Sequence, residues 1–395
     1  MSRILILGGD GYLGWPTALH FSIRDHDVTV VDNYLRRDLS KQLNVSALFS
    51  VPLLEERAKV WKEKTGKNIK VVIADLKNAD SMAALFDGKV TYRWPHDAEF
   101  TGTPDTIIHY AEQPSAPFSM MNHESANMTL MNNLLVTNNL MYAVRDRSPH
   151  SHIIKLGTMG EYGTPNIDIE EGWIDIEHKG RQERFLFPRQ ASSIYHTTKI
   201  MDTDLLWLGV RMWKLRVTDL MQGPVYGMST DETSLDKRLS THFSYDYVFG
   251  TVINRFITQA ISGYPLTVYG TGEQTRGYLD IRDTIQCISL AEKAPAKPGE
   301  LRIFNQIVET FTVNQLAKLV QDAGRELGLS PDVQHMPNPR KEAESHYYNP
   351  TYTGLKDLGL QPNYLTVKGL IEMYRVVGEY KANINKDSIF KPSNW

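Results

Sequence analysis

Short runs of β-branched and aliphatic residues alternate with longer amphipathic stretches through the first half of the chain. Residues 4–7, 28–31, 69–73, 106–109, 152–156 and 215–220 are predicted strands. Their spacing is that of βαβ units feeding a parallel sheet. Residues 120–145 predict one long helix, with Met128, Met131, Leu134, Leu135 and Met141 as a stripe turned to the core. After Gly223 the pattern loosens, and helices are predicted over 248–261, 283–293, 313–327 and 367–380. The expected architecture is α/β: a Rossmann-type doubly wound parallel sheet over 1–222, with a smaller, partly interleaved lobe over 223–395 closing on the strand ends. Three connections, 34–67, 89–103 and 165–188, exceed what a minimal sheet needs, and long connections tend to be functional.

Composition narrows the class. The chain has 395 residues, 41% of them hydrophobic, enough for a sizeable core without a staple. Forty-three basic against 46 acidic residues leave a net charge of −3 with no basic block, so no nucleic-acid partner is expected. No apolar run approaches the roughly 20 residues of a membrane span, and none is expected to insert. The start of the chain runs directly into the first strand, which predicts a cytoplasmic protein without a leader. The single cysteine, Cys287, lies in an apolar run and reads as a small buried side chain. No metal-ligand spacing occurs among the histidines and acids, so no metal is expected.

The first strand is followed by Gly8-Gly9-Asp10-Gly11-Tyr12-Leu13-Gly14, and a predicted helix opens there. Glycines at 8, 11 and 14 permit a tight turn, approach to a pyrophosphate and close helix–strand packing, with the helix N-terminus facing the phosphates. Asp32 ends the second strand, 18 residues past Gly14, where a carboxylate accepts ribose hydroxyls and repels a 2′-phosphate. NAD is therefore the expected cofactor, although Arg36 and Arg37 are placed where they could favour NADP. Asp10, Tyr12, Leu13, Asn33 and Arg36 join the predicted contacts, as do Asp75 and Leu76 beside the adenine and Tyr110 at the end of the fourth strand. His109 reads as a core histidine.

Tyr195 and Lys199 are one helical turn apart, so a phenol and an ammonium share one face. A nearby cation favours phenolate, which makes the tyrosine a usable base. Tyr352 with Lys356 and Tyr364 with Lys368 repeat the spacing, but far from the glycine loop. Thr158 ends the fifth predicted strand 37 residues before Tyr195, a position suited to holding a reacting alcohol.

Over nearly its whole length the sequence resembles the extended short-chain dehydrogenase/reductase family, whose members bind nucleotide sugars. Met131-Asn132-Asn133 with Thr137 is similar to its asparagine-rich helix, and Gln222-Gly223-Pro224-Val225-Tyr226-Gly227 to its Asn-Val-Tyr-Gly-Pro turn. Gly270 to Asp283 resembles the segment that sets an arginine, here Arg276, on the nucleotide phosphates. The resemblance implies that Tyr195, Lys199, Gln222 and Val225 also touch the cofactor. It implies a sugar-nucleotide site of Gln113, Thr158, Gln222, Thr251, Asn254, Arg255, Gln274, Thr275, Arg276 and Asp280, and a homodimer or higher homo-oligomer.

The run Leu156-Gly157-Thr158-Met159-Gly160-Glu161-Tyr162-Gly163, with Gln190-Ala191-Ser192-Ser193 and Tyr195-His196, resembles a narrower branch of that family, which joins sulfite to UDP-glucose. Where 4,6-dehydratases carry an aspartate and a glutamate after the threonine, this chain has Met159 and Gly160. The implied roles are C4 oxidation by Tyr195 with Thr158 and Lys199, removal of the C5 proton by Glu161, and protonation of the departing C6 hydroxide by His196, with Met159 in the catalytic turn. The branch has an arginine where this chain has Pro114; Arg36, Arg37, Arg184 and Arg189 are the candidate replacements for holding sulfite. The competing readings are a UDP-hexose 4-epimerase or 4,6-dehydratase and a non-catalytic NAD-binding regulator.

Overall fold

The computed structural model describes residues 1–45, 47–338 and 346–390. Its centre is an eight-stranded sheet in the order Glu300–Gln306, Arg216–Gln222, His152–Thr158, Thr106–His109, Arg3–Leu7, Asp27–Asp32, Lys70–Ile73 and Tyr92–Trp94. Every pair is parallel except the last, where Tyr92–Trp94 closes the edge antiparallel. The predicted strands are all present. The alternation of side chains decides what each face meets. Ile4 and Ile6 pack with Trp15, Phe21, Trp61 and Ile285 from the helices Gly14–Ile23, Leu54–Thr65 and Ile281–Lys293. Leu5 and Leu7 pack with Leu85, Leu140 and Val210 from Ala79–Asp87, His123–Arg147 and Ile194–Trp213 on the other face. Each of these layers depends on its large side chains: truncating the fully buried Trp61 to Ala would cost about 3–5 kcal/mol.

A third apolar cluster, including Tyr245, Phe256, Leu266, Leu316 and Tyr374, forms the core of the lobe. The strand Glu300–Gln306 returns from the lobe to the large sheet beside Arg216–Gln222. The strand order reverses at Arg3–Leu7, between Asp27–Asp32 and Thr106–His109, which opens a crevice above the strand ends.

Three expectations change on inspection. The helix His123–Arg147 is present, but its buried face is Thr129, Asn132, Asn133, Val136, Thr137 and Leu140, and Met131 is 57% exposed. Of the predicted stripe, Met141 is buried in the core and Met128, Leu134 and Leu135 are half-buried, while Met131 faces outward and polar residues share the inward face. The helix expected from 248 starts at Val252, since Asp246 accepts the N–H groups of Val248 and Phe249 and holds them in a turn. The long connections are partly structured: 34–67 holds the helices Leu35–Gln42 and Leu54–Thr65, 89–103 holds the edge strand, and 165–188 holds the hairpin Trp173–His178 with Arg181–Leu186. Among the described residues no helix is long and apolar enough to cross a membrane. Cys287 is fully buried.

Candidate active site

The crevice is a cleft of about 440 Å³ running from the glycine loop to Thr158 and Tyr195, and on to Thr251 and Asn254. Gly8 sits at φ +90°, and a Cβ there would lie 2.7 Å from the Tyr110 carbonyl carbon; one on Gly14 would lie 2.1 Å from the Gly8 oxygen. The loop can close this tightly only on glycine. No side chain caps the helix that begins at Gly14, so its first turn is left open to an anion in the cleft. Of the residues expected to touch a cofactor, Gly8, Asp10, Gly11, Tyr12, Leu13, Gly14, Asp32, Asn33, Arg36, Asp75, Leu76, Tyr110, Tyr195, Gln222 and Val225 line the cleft and Lys199 does not.

Asp32 accepts the backbone N–H of Asp10 (2.9 Å) and of Tyr34 (2.7 Å), which fixes its carboxylate at the cleft wall. Burial, with Asp10 close by, pushes it up to about 6. The side chain of Asp10 itself is turned away: Arg37 donates to it at 2.7 and 2.8 Å, Arg57 at 2.6 Å, and His242 lies at 3.2 Å. Arg37 also donates to the Val51 and Pro52 carbonyls. It is thus fully engaged and not free for a 2′-phosphate, which removes one of the two features that had pointed to NADP. Arg36 lies 3.3 Å over the Phe249 ring and donates to Ser244 and Ser40.

Residues 239–250 form a strap across this half of the cleft. Trp15 donates to the Leu239 carbonyl, Thr241 to that of Tyr12 (2.7 Å), and His242 reaches Asp10; at the far end Ser115 donates to the Val248 carbonyl (2.5 Å). The strap is itself held from outside, by Phe243 O accepting Leu48 N and Ser388 O accepting Tyr247 N.

At the other end of the cleft, Thr158 closes its strand, and Tyr195 opens the helix Ile194–Trp213 behind its cap, Ser193. Lys199 sits one turn along, with Nζ 2.6 Å from Glu112 and donating also to the Leu156 carbonyl. Lys199 was expected to ease ionisation of the phenol, and its ammonium is here paired with Glu112. Burial, with Glu112 and Glu161 nearby, pushes Tyr195 above its ordinary range, and the cation that pulls it down is Lys155.

Four predicted catalytic residues are not on the cleft wall: Lys199, set behind Glu112 and the Leu156 carbonyl, and Glu161, Met159 and His196. Glu161 is fully buried behind Thr158; its Oε1 accepts Thr158 N (3.2 Å) and Lys155 Nζ (3.3 Å), and Arg189 lies 3.7 Å from Oε2. A carboxylate so enclosed does not reach a sugar C5, and its role as that base is withdrawn. Met159 is buried in the core. His196 has Nδ1 3.0 Å from Ser193 Oγ and its ring over Gly160, where a Cβ would lie 2.4 Å from Nε2. Gly160 is thus what lets the imidazole lie against the catalytic turn.

The sugar-nucleotide contacts divide. Gln113, Thr158, Gln222, Thr251 and Asn254 line the cleft, and Thr251 Oγ1 and Asn254 Oδ1 are buried with no hydrogen-bond partner. Gln274 Oε1 and Arg255 Nε are likewise unpartnered, which fits a polar ligand in that region. Arg255 donates to the Thr267 carbonyl, Arg276 to that of Thr275, and Arg276 also meets His346. Gln113 is used by its own turn: it donates to Ser115 O and Thr129 and accepts from Ser115 N, so its amide is not available to a sugar. Asp280 caps the helix Ile281–Lys293 and pairs with Arg282, which replaces a substrate role with a structural one. Of the arginines considered for sulfite, Arg184 stands on the hairpin with its side chain 66% exposed, Arg189 lies between Glu161 and Asp204, Arg37 is held by Asp10, and Arg36 alone lines the cleft.

The sequence reading missed Glu112, Lys155, Asp202 and Asp219, all buried around the helix Ile194–Trp213. The readable signal was Lys155, a lone cation inside the apolar run His152-Ile153-Ile154-Lys155-Leu156.

Residues 4–305 match the NAD dependent epimerase/dehydratase family. Along its full length the chain is 45% identical to the chloroplastic UDP-sulfoquinovose synthase of Spinacia oleracea, covering 79% of that protein. It is 40% identical to the UDP-sulfoquinovose synthase of Sulfolobus acidocaldarius, covering 97% of it and again all of this chain. The fold is that of the UDP-glucose 4-epimerase from Bifidobacterium longum, with a TM-score of 0.68 over 98% of this chain and 100% of that one at 17% identity. A second epimerase, from Thermotoga maritima, aligns with a TM-score of 0.67 at 20% identity over 94% of this chain and 97% of that one. The chain belongs to the NAD dependent epimerase/dehydratase family, in the group of the UDP-sulfoquinovose synthases.

Proposed function

We propose that this protein is an NAD-dependent enzyme that converts UDP-glucose and sulfite into UDP-sulfoquinovose. The observation that carries the reading is Gly160 beneath His196: the turn that holds acidic residues in 4,6-dehydratases here makes room for an imidazole instead. The full-length relatives named UDP-sulfoquinovose synthase support the same conclusion. When bound between the glycine loop and Asp32, NAD would supply the hydride acceptor for C4 and the hydride for its later reduction. Thr158 and Tyr195 hold the C4 oxygen, and Tyr195 is the base that takes its proton. Lys199, tied to Glu112, would hold the cofactor ribose. The resulting C4 ketone acidifies C5–H, so that the C5 proton and the C6 hydroxide leave as water. His196, its Nδ1 held by Ser193, is the acid proposed for that hydroxide. Sulfite then adds at C6 of the alkene, C5 regains a proton, and C4 is reduced.

In this reading residues 1–222 carry the dinucleotide and 223–395 the sugar nucleotide, with Thr251, Asn254, Arg255, Gln274, Thr275 and Arg276 on its uridine and diphosphate. Sulfite is the second substrate, and two copies of the chain pair through exposed apolar residues of neighbouring helices. Mass spectrometry of a reaction containing UDP-glucose and sulfite tests the proposal. The expected product is a sulfonated UDP-hexose without net release of NADH. UDP-galactose, or a stable 4-keto-6-deoxy sugar formed with sulfite ignored, would overturn it in favour of an epimerase or a dehydratase. Absence of any turnover with NAD bound would favour the regulator.

A further inference from the structure

Thr158 and the Tyr195–Lys199 pair lie on different elements, a strand end and a helix, and something must fix their separation. Lys155 connects the two. Its side chain leaves the strand His152–Thr158 on the face opposite Thr158 and is fully buried. In register on one side is His109 and on the other Asp219, so a row of ionisable groups crosses three strands. Four acceptors surround Nζ: Thr203 Oγ1 at 2.6 Å, the Lys199 carbonyl at 3.0 Å, Asp219 at 3.2 Å and Glu161 at 3.3 Å. Two of these lead directly to the reacting groups. Glu161 Oε1 accepts Thr158 N, and the Lys199 carbonyl belongs to the helical turn that carries Tyr195. Gly157 leaves the space this needs: a Cβ there would lie 2.4 Å from Asp219 Oδ1 and 3.1 Å from Glu161 Oε1.

We propose that Lys155 is a positioning residue for the redox step, a buried ammonium that clamps the strand end bearing Thr158 to the helix bearing Tyr195 and Lys199. The inference rests on the reading of Thr158, Tyr195 and Lys199 as the redox constellation. A neutral side chain of similar length would fill the space but release both connections, and displacement of reacting groups by about 1 Å costs about 100-fold in rate. The clamp also has an electrostatic signature. The groups around the phenol are Glu112, Glu161 and Asp202 on one side of the balance and Lys155 on the other, with Lys199 neutralised by Glu112. Removing Lys155 therefore moves the acid limb of the pH–rate profile to higher pH.

The test uses the NAD-loaded protein and follows kcat, KM for UDP-glucose, the pH–rate profile and bound NAD. Lys155→Met alone leaves Asp219 and Glu161 buried with less counter-charge, so Lys155→Met/Asp219→Asn is the variant that preserves charge balance. It is expected to keep its NAD and its KM within about threefold while kcat falls about 100-fold, with the acid limb moved upward. Lys155→Arg keeps the charge but not the geometry of the donors; its limb should stay in place while kcat falls about 10-fold. Wild-type kcat and an unmoved limb in Lys155→Met/Asp219→Asn would overturn the proposal; if that variant does not fold, wild-type kcat in Lys155→Arg would do so. Tyr195→Phe is run alongside. Should it turn over normally, the redox reading itself fails; should it be inactive while the Lys155 variants work normally, only the clamp fails.

Discussion

Tyr195→Phe removes one oxygen from the cleft and leaves the glycine loop and Asp32 untouched. Turnover should fall at least about 1000-fold while NAD remains bound, measured as product formation and as dinucleotide released on denaturation. Asp32 yields a prediction with a sign. Its carboxyl, raised to about 6 by burial and by Asp10, offers both oxygens as strong acceptors for ribose hydroxyls only when ionised. Retention of NAD should therefore be full above that value and weaken as the pH falls through it, and Asp32→Asn should bind weakly with no such dependence. A titration showing equal retention at pH 5 and pH 8 (about two units apart from the midpoint on the alkaline side) would contradict the role. At this scale the sequence was most readable where backbone geometry and a side chain act together, as at Gly8, Gly14 and Asp32. It was least readable where a side chain's partners come from distant segments. Nothing local marks Asp10 as the partner of Arg57 and His242, or Glu161 as enclosed by Lys155 and Arg189.

Among the elements, the helix His123–Arg147 shows how a periodicity can mislead. Val136, Leu140, Met141 and Val144 turn inward, but so do Asn133, which donates to Thr198, and Thr137, 3.0 Å from His109, so hydrogen bonding as well as hydrophobic burial sets the inward face. The strands were legible because apolar β-branched runs have few alternatives. The strap was not, because residues 239–250 contain little regular structure and gain their path from contacts to residues 10–15, 48, 115 and 388. Cutting one of those contacts should show its function. His242→Ala removes the tie to Asp10 without touching Arg37 or Arg57, and should speed NAD loss about 10-fold (about 1.4 kcal/mol), read by dilution into a dinucleotide trap. In the turn Met159–Glu161, Gly160→Ala should displace the His196 ring and lower kcat about 10-fold or more, with NAD content unchanged. Normal turnover in that variant would argue against His196 as the acid.

For the molecule as a whole, the helices His123–Arg147 and Ile194–Trp213 pack side by side and leave Met131, Met201, Leu208 and Met212 between 41% and 66% exposed. Apolar side chains grouped on adjacent helices suit burial against a second copy. Met131→Asp/Met212→Asp should convert a dimer to a monomer in sedimentation equilibrium, and an unchanged mass would place the interface elsewhere. The strap has a different consequence at this scale. Three stretches from distant parts of the chain, around residues 48, 243 and 388, are tied together over the dinucleotide cleft, so this closure forms only once all three are in place. A cofactor lying under such a closure should enter most readily before the three stretches meet and leave slowly once they have. The active fraction of a preparation would then record how much NAD was present when the chains were made, and dialysis against the cofactor afterwards would restore the remainder only slowly.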